Sequence, residues 1–172
     1  AVGHDGGNNL WILKLDSEGN KLWEKQMLGL ANLGTSVDVD DQDNIFIASK
    51  GSLGESYDVV AIKLNSSGAD IWNATFGGSE PEHTYDMKLD SDGNLIIVAH
   101  SESFDVDAYD IWLLKINGSG HQIWNETWIH VGNDFGYALT IDTDNSIFVT
   151  GYNSSGDTVS LLLTKLDEAG NN

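Results

Sequence analysis

Lys115-Ile116-Asn117-Gly118-Ser119-Gly120, with Trp124 close behind, decides the fold, because the chain contains this stretch four times. It stands earlier as Lys14-Leu15-Asp16-Ser17-Glu18-Gly19 with Trp23, and as Lys63-Leu64-Asn65-Ser66-Ser67-Gly68 with Trp72. It returns as Lys165-Leu166-Asp167-Glu168-Ala169-Gly170 near the end. The lysines are 49, 52 and 50 residues apart. A second marker keeps the same step, in Asp40-Asp41-Gln42-Asp43, Asp90-Ser91-Asp92-Gly93 and Asp142-Thr143-Asp144-Asn145. Two markers in phase over the whole chain define a repeat, and a period of about 50 residues belongs to propellers, solenoids and arrays.

Outward from Lys115, one copy reads as four strands. Tyr85-Asp86-Met87-Lys88-Leu89 alternates like a strand with one apolar face. Asp90-Ser91-Asp92-Gly93-Asn94 has the composition of a tight turn. Leu95-Ile96-Ile97-Val98-Ala99 is apolar without interruption, as is Ile111-Trp112-Leu113-Leu114 ahead of Lys115, so both faces of these strands should be covered. Asn117 to Gly120 suits a type I turn, and Gln122 to Trp128 alternates cleanly. No window carries a sustained helical period.

A four-stranded meander that is apolar on both faces finds cover on both sides when blades stack radially. The sequence therefore predicts an all-β chain of β-propeller blades, each of four antiparallel strands, with about 3.5 repeats of about 50 residues. The chain reads as a single propeller segment over 1–172, with a partial blade at 1–33, blades at 34–83 and 84–134, and a partial blade at 135–172. This phase opens on a second strand and stops before an outermost one. The expectation is a part of a larger propeller, completed by further repeats of the same polypeptide or by another copy of the chain. Trp23, Trp72 and Trp124 are expected to be mostly buried between blades, with Gly19, Gly68, Gly120 and Gly170 as the structural turn residues.

Composition narrows the partners. The 172 residues contain 40% hydrophobic side chains, six Trp and 19 Gly, which suits a folded, turn-rich chain and excludes a disordered one. No apolar run approaches the roughly 18 residues of a membrane span, so direct membrane insertion is not expected. Nothing at the start resembles a signal peptide, which leaves location open. There is no cysteine, so neither a disulfide framework nor a thiolate metal site is available. Eight Lys against 27 acidic residues give a net charge of −19, a surface that repels nucleic acid and anionic lipid and attracts cations.

The run Ser103-Phe104, Tyr109-Asp110-Ile111-Trp112-Leu113-Leu114-Lys115, Gly120, Trp124 and Thr127 resembles a repeat of archaeal and bacterial surface proteins. In that family a YDxWLxK-x-D-x-x-G-x-x-x-W run precedes a GG turn, matched here by Gly77-Gly78. The resemblance covers essentially the whole chain. It implies a secreted or cell-surface β-propeller of adhesive or structural type. The turn and its Trp are also similar to the tryptophan-docking motif of quinoprotein propellers, in which Trp packs on the neighbouring blade's turn. The Ala before the Asp and the Thr before the Gly of that motif are absent, so no quinone cofactor is implied.

Five sequons, at Asn65, Asn73, Asn117, Asn125 and Asn153, are glycosylation candidates. Asn65 and Asn117 fall in the hairpin turn and Asn153 in a polar loop. Asn73 and Asn125 follow inward tryptophans on the outermost strand, so alternation turns them outward. Asp40, Asp43, Asp90, Asp92, Asp142 and Asp144 form Asp-x-Asp turns that offer oxygen ligands to Ca2+, the single cofactor this sequence suggests. The same residues are the ordinary material of tight hairpins. His4, His83, His100, His121 and His130 occupy different phases of the repeat, and no pair has metal-ligand spacing. No nucleophile elbow or phosphate loop is present. Asp105, Asp107 and His100 lie in or beside the longest loop and depart from the repeat.

Together these features predict a non-enzymatic extracellular propeller, a structural or adhesive module meeting a protein or glycan partner at a surface. One alternative is a polysaccharide-active or sugar-binding propeller with its site on one channel face, built from non-periodic residues. Another is a calcium-stabilised scaffold.

Overall fold

A computed structural model describes residues 1–4, 9–29, 33–51, 56–104, 109–129 and 131–172; the side chain of His4 is outside this set, as are Asp105, Asp107 and His130. Fourteen strands and no helix occur among the described residues. β1 (Val2–His4), β2 (Leu10–Leu15) and β3 (Lys21–Met27) make one antiparallel sheet. β4 (Leu33–Val39), β5 (Ile45–Gly51), β6 (Asp58–Leu64) and β7 (Asp70–Phe76) make the second. β8 (Glu82–Leu89), β9 (Leu95–Ser101), β10 (Asp110–Ile116) and β11 (Gln122–Trp128) make the third. β12 (Asn133–Ile141), β13 (Ile147–Ser155) and β14 (Thr158–Leu166) make the fourth. Every sheet is a meander in chain order. The leading strands β4, β8 and β12 pack on one another, with β7 and β11 at the far edges, so the sheets radiate as propeller blades.

The continuously apolar strands sit in the middle of each blade and use both faces. On β9, Leu95, Ile97 and Ala99 join Phe46, Ala48, Val59 and Ala61 of the preceding blade. The alternate residues Ile96 and Val98 join Leu139, Ile147 and Val149 of the following one. Fully burying each such side chain contributes about 1.5–3 kcal/mol, which is why inter-blade packing dominates the fold. Leu161 and Leu163 on β14 are 87% and 69% exposed, whereas Ile111 and Leu113 at the same register of β10 are at 0%.

The two sequence markers are the two kinds of hairpin turn. Asn117 Oδ1 accepts the backbone N–H groups of Ser119 and His121 at 2.9 and 3.1 Å. Asp16, Asp40, Asn65, Asp90, Asp142 and Asp167 do the same two and four residues on. The fourth turn residue takes positive φ, as at Gly120 (φ 86), and twice a short polar side chain is used there, at Asp43 (φ 60) and Asn145 (φ 59). Of the carboxylates suggested as calcium ligands, Asp40, Asp90 and Asp142 are thus engaged by their own turns.

Tryptophan and lysine clamp consecutive blades. Trp72 Nε1 donates to the Gly118 carbonyl at 2.9 Å and Lys63 Nζ reaches the same oxygen at 3.4 Å. Trp23 and Lys14 meet at Ser66 O, and Trp124 and Lys115 at Glu168 O. A Cβ on Gly120 would stand 3.0 Å from the Trp72 ring, so the turn glycine also makes room for the docked indole. All three tryptophans are half-buried, each ring lying over a turn of the next blade and packing on the margin of an inter-blade core.

The GG turn has a similar cause. A methyl on Gly77 would run into the carboxylates of Asp58 and Glu82. Glu82 is fully buried and accepts from Ser101 Oγ at 2.7 Å, Ser103 Oγ at 2.5 Å and Gly78 N at 3.2 Å. Burial, reinforced by the Asp58 charge, raises its pKa in spite of those hydrogen bonds. The folded chain therefore takes up this proton before the unfolded chain does. Stability from this group should rise as pH falls from the raised folded value to about 4.5. Urea unfolding against pH should show that gain, and Glu82→Gln should remove it; an identical pH slope in the variant would refute the assignment.

Candidate functional site

The leading strands share a local irregularity. Register slips by one residue at Thr35 in β4, at Tyr85 in β8 and at Tyr137 in β12. A bulge at the same place in three blades re-aims one side chain per blade without disturbing the core. Below the bulges the strands are tied together: Asp86 accepts from Ser36 Oγ at 2.9 Å and from Leu139 N at 3.2 Å, and Asp38 accepts from Leu89 N at 3.1 Å.

Three register positions at this end of the blades abandon the repeat. The early residue of the leading strand is Leu33, His83 or Phe135; the bulge is Thr35, Tyr85 or Tyr137; the late residue of the second strand is Lys50, His100 or Tyr152. Core positions of the second strands stay aliphatic, as Ile45, Leu95 and Ile147 and as Ile47, Ile97 and Val149. Tyr57 and Tyr109 approach from the start of the third strands.

These side chains form one cluster. The His100 ring is 4.8 Å from His83 and from Tyr85, 4.9 Å from Tyr109 and 5.1 Å from Phe135, centroid to centroid. Tyr85 meets Tyr137 edge-on at 4.8 Å, and Tyr152 lies 4.9 Å from Phe135 and 5.8 Å from Tyr137. Lys50 Nζ is 2.9 Å from His83 Nδ1 and 4.0 Å above the Tyr57 ring. His100 is 4% exposed, and its Nδ1 meets no hydrogen-bonding partner among the described residues.

The electrostatics keep the centre uncharged. Burial, then the neighbouring His83 and Lys50, push His100 down to about 3. Burial and the Lys50 charge also lower His83, against the opposing pull of Glu102. Burial lowers Lys50, again opposed by Glu102. Tyr109 is raised because it donates to Glu102, and because it is desolvated. Burial and the bond to Tyr152 carry Tyr137 up to about 12. Neutral His83, accepting at Nδ1, bears its proton on Nε2. The site thus offers Lys50 Nζ and His83 Nε2 as donors, while the Tyr109 hydroxyl is held by Glu102 and that of Tyr137 by Tyr152.

Among the sequence candidates, His100 lies at the centre of this cluster and His83 joins it. His121 is exposed in a turn. The six turn aspartates are dispersed over three turns. Among the described residues one trio of acids comes together, Asp90, Asp92 and Glu168, with carboxylate oxygens within 4.8 Å of one another. The Lys115 ammonium sits 2.9 Å from Asp90 Oδ2 and 3.6 Å from Glu168 Oε1. Lys50, Tyr85, Tyr109, Phe135, Tyr137 and Tyr152 were missed from sequence. Their signal was present, since aligned copies change chemical type at these positions while core positions such as Ile45, Leu95 and Ile147 stay aliphatic.

No protein-family model matches the sequence, and no curated protein does. Solved structures do resemble the fold. One is a lignostilbene dioxygenase of Pseudomonas brassicacearum, TM-score 0.58 and 14% identity, covering 95% of this chain and 43% of that one. Another is a gluconolactonase of Xanthomonas campestris, TM-score 0.52 and 11% identity, covering 99% of this chain and 59% of that one. The chain therefore spans about half the length of these structures, and at such identity the likeness shows the propeller-type fold. Both are enzymes, and this corrects the expectation of a non-enzymatic structural or adhesive module. The physical reason is visible in the cluster: a scaffold keeps its symmetry, whereas here the repeat is broken where strands from three blades converge.

Proposed function

We propose that this chain supplies the substrate site of a propeller enzyme acting on an uncharged, oxygen-bearing ring compound, of which a sugar-derived cyclic ester is the best fit. The observation that carries the reading is the Lys50–His83 pair at 2.9 Å beside a shelf of tyrosine and phenylalanine rings. Lys50 holds the neutral imidazole so that Nε2–H can donate to a carbonyl oxygen and draw charge onto it in the transition state. Tyr137 and Tyr152 present ring faces to the apolar side of a sugar or lactone ring. A net charge of −19 disfavours anionic substrates at long range, and neutral carbonyl compounds meet no such barrier. The two similar structures are named for actions on ring compounds, lignostilbene and a gluconolactone, consistent with such a shelf.

The test is hydrolysis of a panel of sugar lactones, with binding followed by protein fluorescence. His83→Ala and Lys50→Met should each lower hydrolysis roughly 100-fold or more, the scale of one positioned donor or acid. Tyr137→Ala should weaken binding roughly five- to tenfold, the equivalent of about 1 kcal/mol of ring stacking. Hydrolysis unchanged in both polar variants would overturn the proposal.

A further inference from the structure

The five sequons stand apart from the channel-end cluster, and the structure separates them by a chemical criterion. N-glycosylation joins the anomeric carbon of a sugar to Nδ2 of asparagine. That nitrogen loses one proton, and the pyrophosphate of a lipid-linked oligosaccharide donor leaves with the electron pair of the broken C1–O bond. Oδ1 is untouched and still accepts hydrogen bonds. An asparagine that serves the fold through its oxygen tolerates the modification; one that serves through its nitrogen does not.

Asn153 serves through its nitrogen. It lies within strand β13 and not in the loop that the sequence suggested, paired in register with Asp134. Its Nδ2 donates to Asp134 Oδ1 at 3.0 Å and to the Val131 carbonyl at 3.2 Å, and Asp134 is fully buried. Asn125 serves through its oxygen, which accepts from Trp112 Nε1 at 3.3 Å, and its side chain is exposed. Asn73 is exposed at the same register of the preceding blade. Both stand on outermost strands, where blades diverge and one strand edge is free. On each, the hydroxyl residue two places on, Thr75 or Thr127, lies on the same strand face as the asparagine. Asn65 and Asn117 also use Oδ1, within their turns, but are half-buried beside docked tryptophans.

We infer that Asn73 and Asn125 are N-glycan acceptors, one on the rim of each four-stranded blade, and that Asn153 is not glycosylated. The experiment is intact mass and glycopeptide mapping of the protein purified from its native host, with enzymatic deglycosylation in heavy-oxygen water to mark occupied sites. Asn73 and Asn125 should each carry a glycan mass and Asn153 should appear as unmodified peptide. Asn73→Gln and Asn125→Gln should each remove one glycan mass from the intact protein. Sugar at Asn65 or Asn117 in addition agrees with the oxygen criterion. Unmodified Asn73 and Asn125, or a glycan on Asn153 in folded protein, would overturn the inference.

Discussion

Lys115→Met is expected to lower the unfolding free energy by about 3–5 kcal/mol, the cost of leaving a buried charge without its partner. Lys115 and Asp90 are paired at 2.9 Å with side chains 4% and 1% exposed. Burial alone would raise the Asp90 pKa, but Lys115 and Asn94 outweigh it and hold the carboxyl below its usual range. The sign follows from linkage. This contribution is present above about pH 3.9 and is lost as pH falls through the depressed folded value. Wild-type and variant unfolding curves should therefore converge in acid. The repeat supplies a control in Lys63, whose Nζ is 3.9 Å from Asp40 Oδ2 with side chains 14% and 20% exposed. Lys63→Met should cost about 1 kcal/mol or less from the ion pair, as for other solvent-screened pairs. Equal losses in the two variants, measured by urea unfolding at neutral pH, would show that burial does not set the strength of this clamp.

Trp72→Ala should cost roughly 3 kcal/mol, at the low end for aromatic truncation because the ring is half-buried. The loss combines three contacts: the face on Gly120, the edge contact with Phe46 at 6.2 Å between centroids, and the Nε1 bond to Gly118 O. Trp72→Phe keeps much of the packing and loses the hydrogen bond, so about 1 kcal/mol of the total should remain in that variant. A Trp72→Ala loss below about 1 kcal/mol in thermal or denaturant unfolding would mean that the indole does not join the blades.

Much of this architecture was legible because it repeats. The Asx residue that starts each turn, the positive-φ residue that ends it and the Trp beyond are local requirements, met within a few residues of chain. Continuous apolar strands such as Leu95 to Ala99 announced two covered faces, and the structure divides that run residue by residue between two inter-blade cores. The position of Asn153 was misjudged because Asn and Ser suit loops and strands alike when the strand runs past the packed core.

The site was less legible. His100 was noticed as a departure from the repeat, but its companions come from the neighbouring leading strand, the following blade and the third-strand entry. What the sequence alone determined is what one copy can specify: strand, turn, the αL residue, the docking Trp and Lys, and the two-faced core. Only the tertiary structure decided which departures from the repeat meet. Lys50 and His83 are 33 residues apart in sequence, and His100 and Phe135 are 35 apart. Their contacts depend on the angle at which blades fan apart and on the bulges that bring Tyr85 and Tyr137 together. Those are properties of packed sheets, set by the summed shape of many side chains, and no single repeat encodes them.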